Sequence, residues 1–185
     1  MDNILINSKQ MKKISLTLLT VCYTLFLLTS GLTNSVYAQK KDVHVINGTT
    51  RIVAAQNIIN KSEGITTPKL SGDAENTDIA RYLGGVDTDR YVEYSIDVKK
   101  EGSYKLYPRG ATPNTGWAFE VDIDDTKVAS FTGKSTGGWG AWKTLEDLSQ
   151  TINLKQGIHT LRLRFTQKKL NLNLLYFDYN GKIVK

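Results

Sequence analysis

Apolar and polar residues alternate along several short stretches of the chain, the pattern of β-strands that bury one face. In YVEYSIDV, residues 91–98, every second position from Val92 to Val98 is apolar and the residues between them are polar. Strand-like stretches also cover 102–111, 117–123, 127–133, 158–165 and 170–179. No stretch keeps a helical period for more than about two turns. This pattern predicts an all-β fold.

Turn residues suggest how these strands connect. KKEG follows residue 98 and predicts a hairpin over 91–111, and Asp124–Asp125 predicts a second hairpin over 117–133. The stretch 43–55 favours paired strands at the start of the domain, although 51–59 taken alone is also compatible with a helix. Residues 60–90 are polar and predict a long loop. Short strands separated by Gly and Asp turns indicate a two-sheet antiparallel β-sandwich. The pattern does not give the order of the strands within each sheet.

The N-terminal segment has the features of a signal peptide, so we place the start of the folded domain after it. Three lysines precede an apolar run of about 15 residues, 14–28, and Val36 and Ala38 occupy the two small-residue positions that a signal peptidase recognises. We therefore expect residues 1–38 to be a cleaved signal peptide and 39–185 to form one secreted domain, extracellular or periplasmic, without stable membrane association. The run is short for a membrane-spanning helix, which needs roughly 20 residues; an uncleaved anchor is the alternative.

Cysteine content and charge bear on how the domain is stabilised and on which partners it binds. The only cysteine, Cys22, lies in the predicted signal, so the mature domain must be stabilised by its core without disulfides. The net charge is +6 for the whole sequence; without the three lysines and one aspartate of residues 1–38 it becomes +4, from 21 basic and 17 acidic residues. The basic residues are scattered and form no stripe with interleaved aromatics, which argues against a nucleic-acid partner.

Several separated motifs together resemble family 6 of the carbohydrate-binding modules. They are YLGGVDTDRYVEYSIDVKKEGSYKLYPRGA, STGGWGAWKTL, INLKQGIHTLRLRF and LNLNLLYFD, in this order between residues 51 and 178. The resemblance implies a β-sandwich of jelly-roll type. It also implies binding of polysaccharides such as xylan, β-glucan or agarose, usually beside secreted glycan-degrading enzymes, with no catalysis of its own.

Trp139 is the first candidate for sugar contact. It lies among glycines in STGGWGAWKTL, where little else is apolar, and a flat indole matches the C–H face of a pyranose. The alternative is that Trp139 and Trp142 both pack inward. Because residues three apart in an extended segment face opposite sides, we predict that Trp139 contacts the ligand and Trp142 packs.

Amide side chains would select the sugar, since each offers a donor and an acceptor to neighbouring hydroxyls. Asn171 and Asn173 are predicted on one face of the last strand, with leucines on the other. The resemblance implies that an Asn of this N-L-N element binds the glycan; Asn173 is the first choice and Asn171 the second. The alternative is that both asparagines are simply solvated side chains at the edge of a sheet.

Two departures from the family pattern affect the site. Where many members carry a second stacking Tyr, this chain has Gly84–Gly85, so Tyr82 and Trp117 become the candidates for a second aromatic face; a core role for Trp117 is equally compatible. The acidic residues that commonly hold a structural calcium are replaced by Ala54–Gln56 in the early strand. Gln56 and Asp178 remain as candidate ligands for Ca²⁺, which needs six to eight oxygens.

The sequence contains few of the residues and motifs that catalysis requires. It contains no G-x-S-x-G or H-E-x-x-H motif, and Glu93 and Glu120, the acids that a glycosidase would need, lie on polar strand faces. We therefore expect a monomeric, non-catalytic domain that binds a polysaccharide or oligosaccharide. The alternatives are a structural or adhesive sandwich that binds a protein partner, and a fragment of a glycoside hydrolase.

Overall fold

The computed structural model describes residues 43–70, 81–167 and 169–181. The predicted signal peptide, residues 1–38, lies outside them. The described residues form eleven strands and one short 3-10 helix, Glu146–Leu148. In chain order the strands are β1 (Val43–Ile46), β2 (Thr50–Val53), β3 (Ile58–Lys61), β4 (Tyr91–Val98), β5 (Gly102–Ala111), β6 (Trp117–Ile123), β7 (Thr126–Gly133), β8 (Lys143–Thr144), β9 (Gln150–Leu154), β10 (Gly157–Gln167) and β11 (Asn171–Gly181).

The strands form two sheets. Sheet A has the order β1-β4-β10-β6-β7, and β3 pairs with β4 beside β1. Sheet B has the order β2-β11-β5-β8, and β9 pairs with β5 beside β8. All pairs are antiparallel except β1 with β4, which is parallel. The predicted all-β, jelly-roll type of sandwich is confirmed.

One of the two predicted hairpins is correct. β6 and β7 pair through a two-residue turn, and Asp124 and Asp125 have φ of 49° and 61°, as the type I′ turn of a tight hairpin requires. The hairpin over 91–111 is wrong, because β4 belongs to sheet A and β5 to sheet B. The KKEG turn therefore connects the two sheets. Turn residues show where a chain reverses, whereas the partner of a strand depends on which edge and face it can bury.

At the start of the domain the strands are also predicted correctly, but their pairing is not. β1 and β2 are both strands, but they lie in different sheets and do not pair. The helical alternative for 51–59 is wrong: the chain forms β2, turns at Ala54–Asn57, and continues as β3. The hydroxyl of Tyr94 donates a hydrogen bond to the carbonyl of Ala54 at 2.6 Å and fixes this turn from the core.

The core lies between the sheets and is rich in aromatic residues. Phe119 contacts Phe131 and Phe165, with ring centroids 5.0 and 5.9 Å apart, and all three are buried. Such contacts add about 0.5–1.5 kcal/mol each beyond the burial of apolar area. No helix in the part of the chain that the structure describes is long and apolar enough to cross a membrane.

Candidate functional site

The loop between β7 and β8, residues 134–142, carries both tryptophans of the GGWGAW motif. Its first part is fixed to the end of β5: Thr136 N–H donates to Thr112 O at 2.9 Å, and Thr112 N–H donates to Thr136 Oγ1 at 2.8 Å. Gly137 has φ +114°, a conformation that favours glycine. The loop is therefore anchored at its base to the end of β5.

Trp139 lies in this loop and is 45% exposed. The backbone oxygen of Trp139 accepts a hydrogen bond from Asn171 Nδ2 at 3.4 Å, so one of the predicted amides contacts the residue that carries the exposed indole. The expected surface position of Trp139 is therefore observed. Its contact with a sugar stays a prediction.

Trp142 forms an aromatic pair with Tyr82, which the spacing of the two tryptophans does not predict. The ring of Trp142 is 5.1 Å from that of Tyr82 and tilted by 59°, and it lies outside the hydrophobic core, partly exposed. The guanidinium of Arg109 lies 5.7 Å from the centre of the Trp142 indole. The alternation of extended chain fails here because Ala141 N–H bonds back to Gly138 O at 3.3 Å, so the loop turns between the two tryptophans.

Asn173, the first choice for the sugar-facing amide, is fully buried. β11 has a bulge at this position, since Leu172 pairs with Gly110 and Leu174 with the next residue, Arg109. The side chain is occupied at both ends: Asn173 Oδ1 accepts from Arg109 Nη1 at 2.8 Å, and Nδ2 donates to Arg81 O at 2.8 Å. The choice of Asn173 is therefore wrong, and Asn171, the second choice, is the accessible amide.

Trp117 is also unavailable to a ligand, because it has no exposed surface. Its indole packs on Phe119 with ring centroids 6.2 Å apart, and Nε1 donates to the backbone oxygen of Lys134 at 2.9 Å. Gly133 lies against the ring so closely that a Cβ there would overlap it. The proposed ligand role of Trp117 is wrong, and its alternative, a core role, is correct. Tyr82 remains the candidate for the second aromatic face.

The two candidate calcium ligands do not come together. Val53 pairs with Leu174 and Thr50 with Phe177, so Asp178 lies at one end of β2 and Gln56 beyond the other, on the order of 13 Å along the strand. Asp178 Oδ2 instead accepts a hydrogen bond from the Tyr107 hydroxyl at 2.7 Å. Among the described residues no three His, Cys, Asp or Glu side chains form a metal-binding group. Gln56 and Asp178 therefore do not fit one Ca²⁺ site.

Glu93 and Glu120 are engaged in ion pairs on the outer face of sheet A. Arg162 Nη2 lies 2.5 Å from Glu93 Oε1, and Arg164 Nη2 lies 2.5 Å from Glu120 Oε2. The strand register places the Cα atoms of the two glutamates two strands and two residues apart, roughly 12 Å. Each glutamate is therefore engaged by an arginine of the strand between them.

Comparison with known proteins identifies relatives of this architecture. The family described as carbohydrate binding module (family 6) matches residues 58–180. A search of curated proteins gave no match. Similar solved structures include the C-terminal module of a laminarinase from Zobellia galactanivorans, at 21% identity over 71% of this chain and 99% of that one, with a TM-score of 0.59.

Two further structures have the same fold. One is a module of lichenase 5A from Cellvibrio mixtus in complex with cellotriose, at 20% identity over 74% of this chain and 99% of that one, with a TM-score of 0.60. The other is a β-1,3-glucan-binding module from Bacillus halodurans, at 21% identity over 72% and 98%, with a TM-score of 0.59. At these identities the likeness supports the fold.

Proposed function

The chain belongs to family 6 of the carbohydrate-binding modules, and we propose that it binds a polysaccharide at the Trp-loop site, which we define as Trp139, Trp142, Tyr82 and Asn171. One observation carries this proposal: the side chain of Trp139 is exposed, and the partly exposed amide of Asn171 reaches the backbone oxygen of the same residue at 3.4 Å. An apolar platform next to a side chain with both a donor and an acceptor is what a pyranose requires.

Trp139 supplies the stacking face. Covering about 100 Å² of apolar surface contributes roughly 2.5 kcal/mol at about 25 cal/mol per Å². Immobilising the ligand and ordering the loop oppose this gain, so the affinity of a single site is weak. Binding to a long polysaccharide compensates, because many equivalent sugar units lie along one chain.

Tyr82 and Trp142 leave no room for a sugar between their own two rings. A sugar ring held between two parallel aromatic rings needs a gap of roughly 7–8 Å, two contact distances of about 3.5–4 Å. These rings are 5.1 Å apart and tilted, so they contact each other and leave no such gap. We infer that the sugar stacks on one face of Trp139 and that Tyr82 and Trp142 contact its edge.

The glycans proposed as ligands are the β-glucan, xylan and agarose classes. The structurally similar modules include one crystallised with cellotriose and one that binds β-1,3-glucan. We propose that the chain has no catalytic activity of its own, that it acts outside the cytoplasm after cleavage behind Ala38, and that it directs a glycan-degrading system to its substrate.

Affinity electrophoresis in gels that contain laminarin, xylan or agarose tests the proposal. We expect one of these glycans to retard the protein and Trp139→Ala to reduce the affinity about tenfold or more. Ile158→Ala is the matched control, because Ile158 is 65% exposed but lies at the start of β10, at the other end of the sandwich. Thermal unfolding verifies that each variant is folded.

The possible outcomes separate the candidate functions. Absence of retardation in every gel contradicts the proposal and favours an adhesive sandwich that binds a protein partner. Retardation that Trp139→Ala leaves unchanged locates the glycan elsewhere. Release of reducing ends from any of the three glycans would show catalysis.

A further inference from the structure

A groove lies beside the first residues of the 134–142 loop, Lys134 to Thr136. It has a volume of about 630 Å³ and is bordered by the ends of β6 and β7 on one side and by β8 and the 3-10 helix on the other. β7 is the edge strand of sheet A, and β8 lies at the edge of sheet B. The groove therefore opens between one edge of each sheet, and none of the four residues of the Trp-loop site lines it.

The walls of this groove can form hydrogen bonds but cannot stack on a sugar. Exposed Thr132 and Thr144 offer hydroxyl groups, and Leu145 and Leu148 provide a small apolar floor. Trp117 is the only aromatic residue among the lining residues, and it is fully buried. A neutral sugar would thus gain only ordinary hydrogen bonds here, with no aromatic platform.

The charges of the groove favour an anion. Lys134 and Lys143 both line it, both are exposed, and neither has an ion-pair partner among the described residues. Other lysines of the domain are paired, for example Lys105 with Glu146 and Lys127 with Glu120. Asp147 is the one acidic residue that lines the groove, so its side chains carry a net charge of +1.

From these observations we propose that the groove between β7 and β8 binds a carboxylated sugar unit, a uronate, of an acidic polysaccharide. The ammonium groups of Lys134 and Lys143 donate charge-assisted hydrogen bonds to the carboxylate, and the hydroxyls of Thr132 and Thr144 bond to the ring hydroxyls. Charge-assisted hydrogen bonds are stronger than neutral ones, so the carboxylate distinguishes a uronate from a neutral sugar. The site is separate from the Trp-loop site and does not depend on it.

Two matched ligands test the charge requirement. Trigalacturonate and its fully methyl-esterified form have the same stereochemistry and differ in charge. We expect trigalacturonate to shift the backbone amide resonances of the groove in a titration followed by NMR, and the ester to bind about tenfold or more weakly. Raising the salt from about 0.1 M to about 1 M shortens the Debye length from about 10 Å to about 3 Å and should weaken trigalacturonate binding.

Two double variants locate the site. Lys134→Met/Lys143→Met should reduce trigalacturonate affinity to that of the ester. Lys99→Met/Lys155→Met removes the same net charge near the β9–β10 turn, at the other end of the sandwich, and should bind as the wild type does. Trp139→Ala should also leave trigalacturonate binding unchanged, which distinguishes this site from the Trp-loop site.

Three results would overturn the proposal. They are equal binding of acid and ester, unchanged binding in Lys134→Met/Lys143→Met, and no amide shifts in the groove at millimolar trigalacturonate. Each concerns the groove alone and leaves the function proposed for the Trp-loop site intact.

Discussion

Asn173 and Arg109 form a buried pair in which Arg109 Nη1 donates to Asn173 Oδ1 at 2.8 Å. The same guanidinium lies 5.7 Å from the indole centre of Trp142, and the amide of Asn173 donates to the backbone of Arg81, next to Tyr82. The pair therefore connects the two strands under the site to the rings of Trp142 and Tyr82. We infer that the pair positions these two rings, in place of the ligand contact that the sequence predicts for Asn173.

Replacing Arg109 should weaken binding without direct contact to the glycan. Arg109→Met leaves Asn173 Oδ1 buried without this donor, which costs about 1–3 kcal/mol of unfolding free energy, and it frees the Trp142 ring. We expect a loss of the near-ultraviolet circular dichroism signal of the Trp142–Tyr82 contact and a several-fold loss of glycan affinity. Arg109→Lys keeps the charge and should restore both in part. Unchanged affinity in a folded Arg109→Met protein would contradict this role.

The two asparagines of the N-L-N motif should separate stability from binding. Asn173→Ala removes the buried acceptor of Arg109 and should lower the unfolding free energy by about 1–3 kcal/mol. Asn171→Ala changes a partly exposed amide and should alter stability by less than about 0.5 kcal/mol, while it reduces glycan affinity. Urea unfolding and affinity electrophoresis measure the two effects. The reverse assignment of effects would show that Asn173 faces the ligand.

Trp117 and Trp139 should behave in opposite ways when each is changed to alanine. Trp117→Ala removes a fully buried indole that packs on Phe119, and we expect a loss of about 3–5 kcal/mol of unfolding free energy. Trp139→Ala should change stability by less than about 0.5 kcal/mol and remove most of the glycan binding. Urea denaturation of both variants gives the comparison, and a large destabilisation by Trp139→Ala would contradict an exposed platform.

The sequence predicts where the strands lie, but it does not predict which strands pair with each other. The alternation in 91–98 predicts β4 because burial of one sheet face imposes a period of two. It does not reveal that β4 and β5 lie in different sheets, since strand partners depend on long-range packing. The exposed position of Trp139 among glycines was also predictable. The burial of Asn173 was not, because a single bulge in β11 changes which face each following residue occupies.

His44 should make the stability of the domain depend on pH. Burial lowers the pKa of His44 below its usual value, although its Nε2 contacts Gln56 O at 3.1 Å, which opposes the shift. The unfolded chain, with a histidine pKa of about 6.5, therefore binds a proton before the folded protein does. The unfolding free energy should fall as the pH decreases from about 7 to about 5, by less than about 1.4 kcal/mol per pH unit from this residue. His44→Gln keeps a donor for Gln56 O and should flatten that dependence in urea titrations at each pH. Equal slopes for the wild type and His44→Gln would show that another group controls the effect.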